Sequence, residues 1–285
     1  MTRIVVGVDG STHADRALHW AVKEAQLRRA ALHVVHGYVV HPHAGILVQN
    51  EREAAGAVLD AVTERNQALL DRTEWTTGLV PTLWSPAAVL MDLAEDVDLV
   101  VVGSRGLGGF KELLLGSTSH HAAAHASAPV AVIRGGTGTE DLDGHRDVVV
   151  GIDGSRAARR ALRWACDEAE RRGVALTVVY AYESTDWSAA GLVSDDAQER
   201  YRERAQGNAV EMVDRAIAEL DIAATTDIER VVAPGMPAAM LLARTGVNRL
   251  LVVGTHGRGA LGRALLGSVS HQCLHHAPGP VVVVP

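Results

Sequence analysis

Aromatic residues are scarce: 4 % of 285 residues, with a single Phe. The interior must therefore be filled by Val, Leu, Ile and Ala. Cysteine is nearly missing too. Cys166 and Cys273 make no spaced motif, which excludes a disulfide framework. No apolar run approaches the ~20 residues needed to span a bilayer. Positive charge is not in excess, since 27 Lys and Arg face 34 Asp and Glu for a net −7. A chain without a basic stripe is not built to hold nucleic acid. Met1-Thr2-Arg3 runs straight into Ile4-Val5-Val6 with no signal-peptide pattern. The expectation is a cytoplasmic protein with neither membrane nor nucleic acid as partner. What is present, 47 % apolar and 21 % charged residues, is the composition of a globular protein, long enough for two domains.

The chain repeats itself. Gly7-Val8-Asp9-Gly10-Ser11 returns as Gly151-Ile152-Asp153-Gly154-Ser155, 144 residues later. The same shift carries Trp20-Ala21 and Glu24-Ala25 onto Trp164-Ala165 and Glu168-Ala169. Further on the shift becomes 151: Pro86-Ala87-Ala88 maps onto Pro237-Ala238-Ala239, and Pro129-Val130 onto Pro280-Val281. A period of this length is a duplicated domain, too long for a solenoid unit. The glycine-rich and then acidic stretch after Gly135 reads as a surface linker. We place the first domain at 1–137, the linker at 138–145 and the second domain at 146–285.

Each half alternates strand and helix. Ile4–Val8 reads as a buried strand, followed by a helix whose apolar face carries Ala14, Ala17, Leu18, Ala21 and Ala25. A second strand is expected at Leu32–Val35, a charged helix near 51–72 and a third strand near 74–82. Pro86 suits the first turn of a helix. A fourth strand, Leu99–Val102, ends in Gly103. A glycine-rich loop, a helix from Ser117 to Ala126 and a last strand, Pro129–Ile133, follow. The second half repeats this order. Apolar strands alternating with helices predict an α/β fold with a doubly wound parallel sheet, Rossmann-like, covered on both faces. In such sheets ligands sit beyond the carboxyl ends of the strands, where the strand order reverses.

The strongest chemical signal lies there: Gly103-x2-Gly106-x9-Gly116-Ser117, copied as Gly254-x2-Gly257-x9-Gly267-Ser268. Gly103 and Gly106 are expected to let backbone approach a ligand. Gly116-Ser117 opens a helix, whose free N–H groups favour an anion. A polyphosphate between loop and helix satisfies both. A pair of left-handed turns and a serine N-cap would also explain the residues, but the same spacing in both copies favours a ligand.

On these motifs both halves resemble universal stress protein domains of the ATP-binding type, and nearly the whole chain resembles a tandem member of that family. The resemblance implies two five-stranded sheets of order 3-2-1-4-5 and about two ATP per chain, with Mg²⁺ as a possible companion. It implies that Asp9 and Asp153 face the nucleoside and that Gly7, Val8, Gly151 and Ile152 line the adenine pocket. It assigns Gly37 and Ala181 to adenine through backbone. Gly103, Gly106, Gly116 and Ser117, like Gly254, Gly257, Gly267 and Ser268, would hold ribose and phosphates, with Thr118 and Val269 adding N–H groups. It further implies a role in stress or dormancy, an intramolecular pseudo-dimer of the two halves through their last strands, a homodimer of the whole chain and a regulatory protein partner.

Other signals are set aside. Gly257-x-Gly259-x-x-Gly262 matches a dinucleotide fingerprint but follows a fourth strand, and Lys111 replaces the third glycine in the first half. There is no P-loop lysine common to both halves and no repeated carboxylate pair, so a slow ATPase or phosphotransferase is the alternative to a regulatory binding module. No catalytic residue is assigned. Fourteen His invite a metal, yet His121/His125 and His271/His275 do not correspond between halves. They read as helix-surface or interface residues, and no metal is expected.

Overall fold

The first apolar run, Arg3–Gly7, forms β1 and leads into a turn at Gly10, whose φ of +84° suits glycine alone. Ser11 caps helix α1 (Thr12–Arg28), its hydroxyl accepting from the Ala14 N–H at 3.1 Å. The second half repeats both devices. Gly154 has φ +79°, and Ser155 accepts from Ala158 at 3.1 Å to open α6 (Arg156–Arg172) after β6 (Asp147–Gly151). The computed structural model describes residues 2–40, 46–83, 85–107, 115–134, 147–183, 194–220, 226–257 and 266–285. The linker expected at 138–145, Lys111, Gly259 and Gly262 lie outside the described residues.

The first half continues through β2 (Ala31–Val39), α2 (Ile46–Arg65), α3 (Gln67–Leu70), β3 (Trp75–Thr82), α4 (Pro86–Leu93), β4 (Leu99–Gly103), α5 (Ser117–His125) and β5 (Val130–Ile133). The second contains β7 (Ala175–Tyr182), α7 (Asp195–Ala218), β8 (Ile228–Pro234), α8 (Pro237–Leu242), β9 (Arg249–Gly254), α9 (Ser268–His276) and β10 (Val281–Val284). Two elements differ from expectation. β2 runs on to Val39, because β3 pairs with it as far as Val39↔Thr82. The charged helix starts at Ile46 and breaks at Asn66, whose side chain donates to the Val62 carbonyl at 2.8 Å and to Asp15 at 3.3 Å.

Strand order is β3-β2-β1-β4-β5 in the first half and β8-β7-β6-β9-β10 in the second, parallel throughout each half. Each half thus has the order 3-2-1-4-5. β5 and β10 then pair antiparallel, Val130 with Val283 and Val132 with Val281, so the two sheets join into one of ten strands. Side chains alternate between faces, as strand geometry requires. Ile4, Val6 and Val101 enter the core under α1 and α6, while Val5, Val100 and Val102 enter the core under α4, α5, α8 and α9. Both cores run across the junction of the halves, and the central strands β4, β5 and β10 are buried on both faces, while the outer strands β3 and β8 are partly exposed.

A second contact ties the halves together at the last turns of α1 and α6. Glu24 and Arg28 meet their own repeat counterparts, Glu168 and Arg172. Arg28 donates to Glu24 at 2.7 Å and to Glu168 at 2.5 Å, and Arg172 bonds both Glu168, at 2.6 Å, and Glu24. Arg171 adds a bond to Glu168 at 2.6 Å. The Glu168 side chain is 0 % exposed and Glu24 2 %. Burial and the facing Glu168 carboxylate push Glu24 up to about 7. Burial alone would raise Glu168 as well, but the guanidiniums of Arg172 and Arg28 outweigh it and hold Glu168 low. The Arg28 guanidinium lies 5.2 Å from the centre of the Trp164 ring, a stacked cation.

Candidate functional site: two glycine-lined crevices

The strand order reverses between β1 and β4, and again between β6 and β9. A crevice opens at the carboxyl end of each pair. In the first, the turn Gly7-Val8-Asp9 forms one wall and Gly103, Gly106 and Gly116 the other, with Gly37 at the β2 end and Ser117 and Thr118 at the helix start. In the second, Gly151, Ile152, Asp153 and Ala181 face Gly254, Gly257 and Gly267, with Ser268 and Val269 on the helix. Every residue singled out from the sequence lines its crevice.

All six motif glycines line the crevices. None of the six has positive φ, so left-handed turns do not explain them. A Cβ on Gly103 would stand 2.6 Å from the His13 carbonyl oxygen, and one on Gly254 2.9 Å from the Ala157 carbonyl carbon. These two glycines let α1 and α6 lie against the strand ends. A Cβ on Gly106 would stand 2.3 Å from Asp9 Oδ2, and on Gly257 2.7 Å from Asp153 Oδ2. Gly116 and Gly267 remain as places where bare main chain meets the crevice.

Asp9 holds the loop in place. Its Oδ1 accepts from the Ser11 N–H at 3.0 Å and its Oδ2 from the Leu107 N–H at 3.0 Å. Asp153 Oδ1 accepts from Ser155 at 2.9 Å. The loop then closes on itself: Gly116 N–H donates to the Ser104 carbonyl at 2.8 Å, and Gly267 N–H to that of Thr255 at 2.7 Å. Gly116 and Gly267 are the N-caps of α5 and α9, with no side chain to satisfy the first helical N–H groups. Ser117 and Ser268 are thus first-turn residues, not caps. Open helix starts at a glycine-built loop can bind an anion.

The sequence reading missed Ser119 and Ser270. Each donates to the carbonyl of the strand-end glycine, Ser119 to Gly103 at 2.6 Å and Ser270 to Gly254 at 2.5 Å, and so pins the helix to the sheet. Their identity at the 151-residue shift was the available signal. The sequence already sets Arg105 against His256 as a difference between the halves near the sites, and the two occupy the same position in their loops. Arg105 Nε and His256 Nε2 are buried without a hydrogen-bond partner, and both residues line their crevices. Burial lowers the pKa of His13, and Arg105 and Arg16 lower it further against the opposing pull of Asp9.

Among the described residues no cluster of His, Cys, Asp and Glu could hold a metal ion. The His120 and His271 rings instead meet edge-on across the two halves, 5.8 Å apart. Both cysteines are buried, and burial pushes Cys166 up to about 11 and Cys273 up to about 12, so neither is a ready nucleophile.

The fold and the crevices define a tandem doubly wound α/β protein with one glycine-lined cradle per half. The universal stress protein family profile matches residues 1–134 and 144–285. The chain belongs to the universal stress protein family. It is 33 % identical over 298 residues to a universal stress protein of Mycobacterium tuberculosis, covering 98 % of this chain and 96 % of that one. It is 33 % identical over 292 residues to one of Mycolicibacterium smegmatis, covering 99 % and 96 %. A solved universal stress protein from Archaeoglobus fulgidus has the same fold, with a TM-score of 0.70 at 19 % identity, covering 99 % of this chain and 97 % of that one. No helix among the described residues is long and apolar enough to cross a membrane.

Proposed function

We propose that this protein is an ATP-binding regulatory module of the stress or dormancy response, acting in the cytoplasm through its domains at 1–137 and 146–285. The observation that carries this reading is the first crevice. It measures about 500 Å³, within the range of small-molecule sites, and joins an uncapped helix start to an unpartnered buried guanidinium nitrogen. Adenine fits the apolar end between Gly7, Val8 and Gly37. The ribose lies near Asp9, and the phosphates meet the N–H groups of Ser117 and Thr118. Arg105 supplies a fixed positive charge for the polyphosphate. Bound nucleotide would bias a contact with a regulatory partner or a second copy of the chain.

A binding role is favoured over turnover. Asp9 is the one carboxylate lining the first crevice among the described residues, and both its oxygens are engaged by backbone N–H groups. It is poorly placed to orient a water or to hold Mg²⁺. The alternative is a slow ATPase or phosphotransferase on the same cradle. Extraction of the purified protein followed by identification of the released small molecule, with calorimetry against ATP, tests the reading. Adenine nucleotide in the extract or micromolar heat supports it. Neither nucleotide nor heat refutes it. Hydrolysis well above about one turnover per minute would move the assignment to the enzyme.

A further inference from the structure

The two crevices share their backbone but not their size. The closing bonds from Gly116 and Gly267 differ by 0.1 Å, at 2.8 and 2.7 Å, and the serine pins by as little, at 2.6 and 2.5 Å. Yet the first cavity measures about 500 Å³ and the second about 170 Å³. Small-molecule sites run from roughly 300 to 1,000 Å³, so the first lies inside that range and the second below it. Three side-chain differences narrow the second crevice. Gly37 leaves the wedge between β2 and α4 open, and a methyl there would stand 3.2 Å from Pro86 Cα. Ala181 places that methyl in the second crevice, and Ile152 adds a methylene where the first has Val8. Leu241 also presses closer. An ideal Cβ on Gly151 would stand 2.8 Å from it, against 3.1 Å between Gly7 and Leu90. At the phosphate end, the Arg105 guanidinium is answered by the shorter imidazole of His256, each with a buried nitrogen lacking a partner.

We infer that the two sites are graded: the N-terminal crevice is the high-affinity nucleotide site, and the C-terminal one admits a nucleotide only by displacing Leu241. This rests on the nucleotide reading above. One methylene in a tight apolar pocket changes affinity by about 10- to 200-fold, so the second site is weaker by at least about tenfold. At low nucleotide concentration the chain carries one ligand, in its first half.

Calorimetry of the full chain with ATP tests the grading. The expected isotherm has two phases separated by at least about tenfold in Kd. Gly116→Ala, whose methyl would meet its nearest protein atom at an ordinary 3.5 Å, abolishes the tight phase, and Gly267→Ala spares it. Ile152→Val combined with Ala181→Gly strengthens the weak phase at least about threefold. Independently of any variant, photolabelling of the unaltered chain with 8-azido-ATP at low concentration places the label on peptides of the first half. Two equal sites, or label mainly on the second half, overturn the grading while leaving nucleotide binding intact. No binding at all overturns both.

Discussion

Replacing Glu168 by Ala removes the anion at the centre of the contact between α1 and α6. Its side chain is 0 % exposed and accepts from Arg28 at 2.5 Å, Arg171 at 2.6 Å and Arg172 at 2.6 Å. Arg28 and Arg172 are only 8 % and 12 % exposed, so both guanidiniums would be left with Glu24 as their shared buried anion. Stripping one partner from a buried ion pair costs about 3–5 kcal/mol, mostly as the penalty of the charge left behind. A surface control is at hand. Glu211 and Arg215 form the same kind of pair at 2.7 Å, but with side chains 69 % and 68 % exposed, and such pairs contribute about 0–1 kcal/mol. Guanidinium unfolding of Glu168→Ala and Glu211→Ala, followed by far-ultraviolet dichroism and by tryptophan fluorescence, should separate them by several kcal/mol. Trp164, which lies under Arg28, is one of the five tryptophans that contribute to the fluorescence. Equal, small losses for the two variants would refute the view that buried ions fasten the halves. Substituting all four charged residues by apolar ones of similar volume is a different experiment, and such replacements are often neutral or stabilising.

Glu24→Gln should flatten part of the pH dependence of stability. Glu24 is raised from 4.5 to about 7 in the fold, so the stability it contributes is full below its ordinary pKa and lost as pH rises through about 7. Wild type should therefore lose stability relative to Glu24→Gln between about pH 5 and pH 8, and an identical difference at both ends would contradict the assignment. Ser119→Ala leaves the Gly103 carbonyl without its 2.6 Å donor and should cost about 1–3 kcal/mol in urea unfolding. Asp9→Ala frees the Leu107 amide, whose hydrogen exchange should speed up by about tenfold, while the Ala14 amide, capped by Ser11, stays protected. Unchanged exchange at Leu107 would mean that Asp9 does not hold the loop.

The repeat and the position of both crevices were legible because apolar strands and paired glycines leave marks that survive duplication, while the strand order followed from the family resemblance alone. The reason for the glycines was less legible. Gly103 reads as a place for a ligand, and the fold adds a second reason for glycine there: the His13 carbonyl oxygen lies 2.6 Å from where its Cβ would be. Sequence spacing reports that a side chain is absent, not what takes its place. Glu24, Arg28, Glu168 and Arg172 also recur in register, but charged residues on a helix read as a solvated face. Only the antiparallel pairing of β5 with β10 brings the two helices close enough to bury them. The difference in cavity size was invisible for a similar reason. Ala181, Ile152 and Leu241 each narrow the second crevice by about one carbon or less, too little to show in the spacing of the motifs.

That antiparallel seam has a consequence for how the molecule can be read by anything else. Because the sheet changes polarity at its midline, the strand ends that form one mouth lie on the opposite rim from those that form the other. A single small partner therefore cannot cap both mouths at once. The two mouths face apart, and a body seated on one leaves the other uncovered.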